Sequence, residues 1–307
     1  MQQPAAARSS SGGDAAGDIV VVGIGDSGAD HYSAALRYAA QLSRQRQAEL
    51  RLVHGCLPRL SIALRDEALG RYLIRGRKVL EEAGRTLSSM LDHDLAVSLA
   101  AVPETGVDAL LQEARTAAVL IVQRRVLSTV GHLFSGATSD TVAAQAACPV
   151  IVVRHDHCDG DEQRGVVVGI GTHSGLRALK VGIAEATARR CPLTAVHVWD
   201  LQFSPTFGGW VDPDGEELAE ASTWADSVLA DAVTAVATTH PDVEIHARSV
   251  KGVTEDGLLA ECVHAELLVV ERHRDAHLAS IGLGTLTRHL LDHAPCPVMV
   301  TPHSDAG

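Results

Sequence analysis

Two short stretches carry residue types suited to holding an anion. At Gly136-Ala137, and again at Gly284-Thr285, a glycine and a small residue stand between an apolar run and an amphipathic stretch. A strand, a small-residue turn and a helix N-terminus leave free backbone N–H groups pointing outward, which is an anion site. Ser139 in the first stretch and Thr285 with Thr287 in the second add hydroxyls. His54 and His197 each end a predicted second strand, where doubly wound sheets place ligands; packing with a satisfied ring nitrogen is the other reading. His155, His157 and Cys158, flanked by Asp156 and Asp159, are ligand types for zinc or nickel. They have no second group at fixed spacing, so no metal is expected. His289 and His293 lie four apart on a predicted helix, but Leu290, Leu291 and Asp292 between them give no His-Glu-x-x-His. A solvated or half-buried helix face is expected there. Ser27, Ser135, Ser139 and Ser174 have no nucleophile-elbow sequence around them, and no catalytic residue is expected.

The elements that position these residues are written twice. "AVLIVQRRVLSTVGHLFSGATSDTVAAQAACPVIVVR" (118–154) matches "ELLVVERHRDAHLASIGLGTLTRHLLDHAPCPVMVTP" (266–302). Leu120 and Leu268, Gly136 and Gly284, and Cys148-Pro149 and Cys296-Pro297 share one offset of 148 residues. A domain-sized period signals duplication rather than a solenoid. Apolar runs such as "DIVVVGIG" and "GVVVGIG" read as strands buried on both faces. Between them lie helical patterns: 31–45, 66–90 and 107–116 in the first half, 175–190, 216–239 and 255–264 in the second. "LAVSLAAV" (95–102) is the third strand. Strict β-α alternation predicts α/β architecture, two doubly wound five-stranded parallel-sheet domains in tandem duplication. The expected division is a disordered leader 1–17, a first domain 18–154, a linker 155–164 and a second domain 165–302.

Composition narrows the function. With 26 basic against 38 acidic side chains, the formal charge of −12 argues against nucleic acid as a partner. No apolar run approaches a spanning length, so no membrane partner is expected. Six scattered cysteines without a Cys-x-x-Cys pair suit reduced thiols and a cytoplasmic location.

A β-α-β-α-β-α-β-α-β unit that opens "VVVGI", carries "AVHVW" on its second strand and ends "HAPCPVMV" resembles the universal stress protein family, a HUP-type α/β fold. Two units in one chain resemble its tandem members. In that family an aspartate closing the first strand contacts adenine, and nucleotide-binding members carry Gly-x2-Gly-x9-Gly-(Ser/Thr) after strand four. Here the aspartate position falls on Gly25 and Gly171, with Asp26 one residue on in the first half and Thr172 in the second. The glycine positions read Gln123, Val126, Gly136 and Ala137, then Glu271, Arg274, Gly284 and Thr285. Side chains thus stand where phosphate needs bare backbone, and Glu271 adds a like charge. Arg124, Arg272 or Arg274 would be a different anion clamp, or simply surface arginines.

The resemblance implies a non-enzymatic stress-response protein that acts by binding an unknown protein partner or small ligand, with no firm cofactor. It also implies that the two domains pair through their final strands, with a homodimer as a further assembly. The alternative is an ATP sensor in the second half. There Gly284, Thr285 and Thr287 would hold phosphate, and Gly169, Ile170, Gly171 and Thr172, bordered by His197 and Val198, would line the base pocket. The first-half counterparts are Gly25, Asp26, Gly136, Ala137 and Ser139. An ATP-hydrolysing enzyme ranks last, because no acidic pair accompanies a phosphate loop.

Overall fold

The computed structural model describes residues 19–26, 29–58, 66–90, 95–124, 137–157, 165–172, 175–200, 216–237, 240–272 and 283–302. Leader residues 1–17, Cys158, and Ser27, Ser135 and Ser174 lie outside them, as do Val126, Gly136 and Arg274.

The first half runs β1 (Ile19–Gly23), α1 (Ser33–Arg46), β2 (Glu49–Leu57), α2 (Asp66–Met90), β3 (Val97–Thr105), α3 (Gly106–Glu113), β4 (Val119–Arg124), α4 (Ala137–Gln145) and β5 (Val150–Arg154). The second repeats it: β6 (Val166–Gly169), α5 (Leu176–Arg189), β7 (Leu193–Trp199), α6 (Glu216–Ala237), β8 (Ile245–Lys251), α7 (Thr254–Glu261), β9 (Leu267–Glu271), α8 (Thr285–His293) and β10 (Val298–Thr301). β1 shows why these runs become central strands. Val20 and Val22 face one apolar layer, Val21 faces the other, and all three are fully buried. One layer packs α1, α2, α5 and α6 through Leu36, Leu80, Ile183 and Leu229. The opposite layer packs α3, α4, α7 and α8 through Leu110, Val142, Leu258 and Leu290.

The ten strands form one sheet in the order β3-β2-β1-β4-β5-β10-β9-β6-β7-β8. Each half is five parallel strands, and the halves join where β5 and β10 run antiparallel, Val152 opposite Val298 and Val150 opposite Val300. The edge strand β3 continues to Thr105, beyond the expected stop at Val102. Pro103 lies in that extension, and an outer strand tolerates a missing N–H where no neighbour needs it. α3 begins on Thr105, whose Oγ1 accepts from the Asp108 N–H at 3.3 Å.

The residues just after β5 do not leave the body of the protein. His157 is buried, its ring meets Tyr38 edge-on at 6.3 Å, and Arg37 donates to its carbonyl at 3.4 Å. Burial pushes the Tyr38 phenol up to about 12, against the pull of Arg189, which donates to its oxygen at 3.0 Å. A phenol with a raised folded-state pKa holds its proton more tightly in the native state. Its contribution is therefore complete below the unfolded value of about 10 and is lost as pH rises through 12. Ultraviolet difference absorbance across alkaline pH should show Tyr38 ionising only above the ordinary phenol range, together with unfolding. Ionisation of Tyr38 near pH 10 in folded protein would contradict its burial.

Candidate functional site

In an open parallel sheet the ligand crevice forms where strand order reverses, at the carboxyl ends of the strands. Here that point lies between β1 and β4 in the first half and between β6 and β9 in the second. Four positions define each crevice: the turn after the first strand, the end of the second strand, the N-terminus of the first helix, and the end of the fourth strand.

The ends of the second strands are built alike. The His54 ring nitrogen Nδ1 lies 2.8 Å from the Ile24 carbonyl, and His197 Nδ1 lies 2.8 Å from the Ile170 carbonyl. A carbonyl only accepts, so in each ring Nδ1 carries a proton. The His54 Nε2 stands 3.9 Å from Asp26, whose exposed carboxylate is also 3.6 Å from Arg75. The His197 Nε2 is buried and has no hydrogen-bond partner among the described residues, beneath the edge-on ring of Trp224 at 6.2 Å. Val198 beside it is buried.

The turns after the first strands differ. A Cβ added at Gly25 would strike the Tyr32 hydroxyl, so an acid at that position has no room while Tyr32 stays. Gly171 and Thr172 are exposed.

The first helices have no side-chain cap of their own. α1 follows Tyr32 and α5 follows Gly175, and neither supplies a capping side-chain bond. The ends of the fourth strands do the capping. Gln123 Oε1 accepts the Ala35 N–H at 3.1 Å while its amide donates to the His31 carbonyl. Glu271 Oε2 accepts the Gly175 N–H at 2.7 Å. Gly175 sits at φ +111°, and a Cβ there would come within 3.1 Å of the Ile170 Cα, so this junction requires glycine. Gln123 and Glu271 therefore each span a switch point from the fourth strand to the first helix. A carboxylate at a helix N-terminus is well placed, because the helix dipole is positive there.

The residue that follows each of these points to the other layer. Arg124 is buried; it donates to Asp292 at 2.7 Å and to Ser139 Oγ at 3.2 Å, and it pairs with Asp140. Arg272 is buried and donates to the Ala146 carbonyl at 3.3 Å. Both arginines reach across the junction of the halves. The hydroxyls expected on phosphate divide. Ser139 and Thr287 are buried, whereas Thr285 is exposed in the first turn of α8. A Cβ at Gly284 would meet nothing within 4 Å among the described residues, so the local packing does not demand glycine. Ala137 opens α4.

The two histidines of α8 are occupied with each other and with backbone. His289 and His293 stack at 4.2 Å, and His293 Nδ1 lies 2.9 Å from the His289 carbonyl. Among the described residues no three His, Cys, Asp or Glu stand together as a metal site.

Charge separates the halves. Residues 18–154 hold 15 basic and 14 acidic side chains, residues 165–302 hold 9 and 18, so the formal charges are +1 and −9. The second crevice lies in the acidic half.

The universal stress protein family model matches residues 18–154 and again 163–302. The chain belongs to the universal stress protein family. It carries two universal stress protein domains in tandem. It is 28% identical over 294 residues to a universal stress protein of Mycolicibacterium smegmatis, covering 92% of this chain and 96% of that protein. A Thermus aquaticus universal stress protein matches at 36% over 132 residues, 41% of this chain and 93% of its own length. The solved Archaeoglobus fulgidus universal stress protein superposes with TM-score 0.63 at 14% identity, covering 94% of this chain and 99% of that one. No helix among the described residues is long and apolar enough to cross a membrane.

The substitution of the family glycines by Gln123 and Glu271 was legible in the sequence, but their capping role was not. A signal existed: neither Tyr32 nor Gly175 is a capping side chain of the Ser, Thr, Asp or Asn kind.

Proposed function

We propose that this universal stress protein is a non-enzymatic, cytoplasmic binding protein whose two crevices do not take ATP in the manner of its glycine-rich relatives. It acts through a partner or another small ligand. The observation that supports this reading is the pair of caps. A nucleotide tail laid over the switch point needs the space and the N–H groups that Gln123 and Glu271 now use. Displacing either side chain uncovers a helix N-terminus, and losing a capping bond costs about 0.5–2 kcal/mol. At Glu271 the phosphates would also meet a carboxylate inside a half of formal charge −9.

The ATP-sensor alternative rests on exposed Thr285 and open Gly284 at the start of α8. Calorimetry with ATP and magnesium separates the two readings. The expected result is no saturable heat for the native chain at millimolar nucleotide. Heat that saturates, and that disappears in Gly284→Val, would replace the first reading with the second. Turnover of ATP by the purified chain would overturn both.

A further inference from the structure

The junction between the halves is a pseudo-twofold arrangement in which equivalent positions face one another. α1 and α5 are both fourteen residues long and both end in a left-handed residue, Gln47 at φ 53° and Arg190 at φ 55°. Tyr32 therefore matches Gly175, Leu42 matches Glu185, and Arg46 matches Arg189. In the other layer the repeat matches Asp140 with Arg288 and Ala144 with Asp292.

Charged contacts in both layers break this symmetry. In the α1–α5 layer, Glu185 is buried and pairs with both Arg46 and Arg189, which are each other's equivalents. The half that contributes Arg46 has Leu42 where the other has Glu185. In the α4–α8 layer, Asp140 Oδ2 pairs with Arg288 Nε at 3.2 Å, so one position meets its own counterpart with opposite charge. Arg124 adds Asp292 across the junction, where the first half offers only Ala144.

We infer that this junction is coded for unlike halves: a first domain accepts a second domain and rejects another first domain, and a second domain likewise rejects its own kind. If two first domains met through β5, each Arg46 would meet Leu42 in place of the Glu185 carboxylate, and Asp140 would face Asp140. If two second domains met through β10, Arg288 would face Arg288. Like charges set against each other in an interface are a means of excluding wrong partners. The apolar strands β5 and β10 supply adhesion without choice, and the charged pairs on both sides of the sheet supply the choice. The consequence for function is that each chain closes on itself and does not trade domains with other copies through this edge.

The test uses the full chain with a protease site placed inside residues 158–164, folded first and then cut. Cut protein is mixed with an isotopically heavy preparation, and pairs are weighed by native mass spectrometry. Unlike pairs should dominate, with fewer than about one like pair per ten unlike pairs. Asp140→Arg, which sets Arg against Arg288, should raise dissociated halves roughly tenfold or more. The exchanged double variant Asp140→Arg with Arg288→Asp should restore pairing. Arg124 loses one of its two carboxylates in both variants, so a failure caused by Arg124 alone would not be repaired by the exchange. Like pairs in statistical proportion, or an exchange that repairs nothing, would overturn the inference.

Discussion

Glu185→Leu should unfold the chain at a markedly lower urea concentration, with a loss of about 3–5 kcal/mol, the usual cost of removing one partner from a buried ion pair. The leucine is what the first half carries at this position, so volume and backbone preference are not at issue. What is lost is the only carboxylate within reach of Arg46 among the described ion pairs, and the nearer of two for Arg189, whose contact with Glu266 is 3.9 Å. Arg189 is only 4% exposed, so its guanidinium would stay buried with Tyr38 and the Glu185 carbonyl. Arg46 is 24% exposed and relaxes toward solvent, so Arg46→Leu should cost clearly less. Equal losses for the two variants, or a loss below about 1 kcal/mol for Glu185→Leu, would contradict the buried network.

Gly55→Val should be the second severe change. β2 passes so close to the start of α3 that a Cβ at Gly55 would fall 2.5 Å from the Thr105 carbonyl and 2.6 Å from the Gly106 Cα. These are backbone atoms between a strand and a helix and cannot swing aside. The cost should reach or exceed the upper end of the about 1–3 kcal/mol typical of overpacking. The duplicate supports the reasoning. The second half has Val198 at the same place, and the room comes from Gly257 in α7, where a Cβ would meet Val198 Cγ2 at 2.8 Å. Ala109 stands at the matching position in α3. The small residue has moved from the strand to the helix. Thermal unfolding of Gly55→Val and of Gly257→Ala reads both ends of this exchange. A Gly55→Val chain that melts like the native one would show that α3 yields.

The fold was readable because its instructions are local. Four-residue apolar runs, helical spacing such as Leu73, Leu80 and Leu87, and Cys-Pro stops each act within a few residues. β3 ran past its expected end over Pro103, where edge position decided and no local signal announced an edge. The site was half readable. That Gln123 and Glu271 replace glycines is visible in the chain, but their partners are 88 and 96 residues away, and no local pattern joins them. Glu185 was partly hidden, because Arg46 lies 139 residues away although Arg189 is only four residues on. Its signal was a charge falling among Leu179, Ile183 and Ala186 on the inward face of a helix, which asks for a buried cation somewhere else.

Two side chains, Gln123 and Glu271, occupy the switch points. A crystal structure grown with ATP and magnesium at millimolar concentration tests it most directly. The expected density shows the Gln123 amide on the Ala35 N–H and the Glu271 carboxylate on the Gly175 N–H, with no nucleotide between strand and helix. A bound adenosine polyphosphate at either switch point, with its cap swung away, would contradict it.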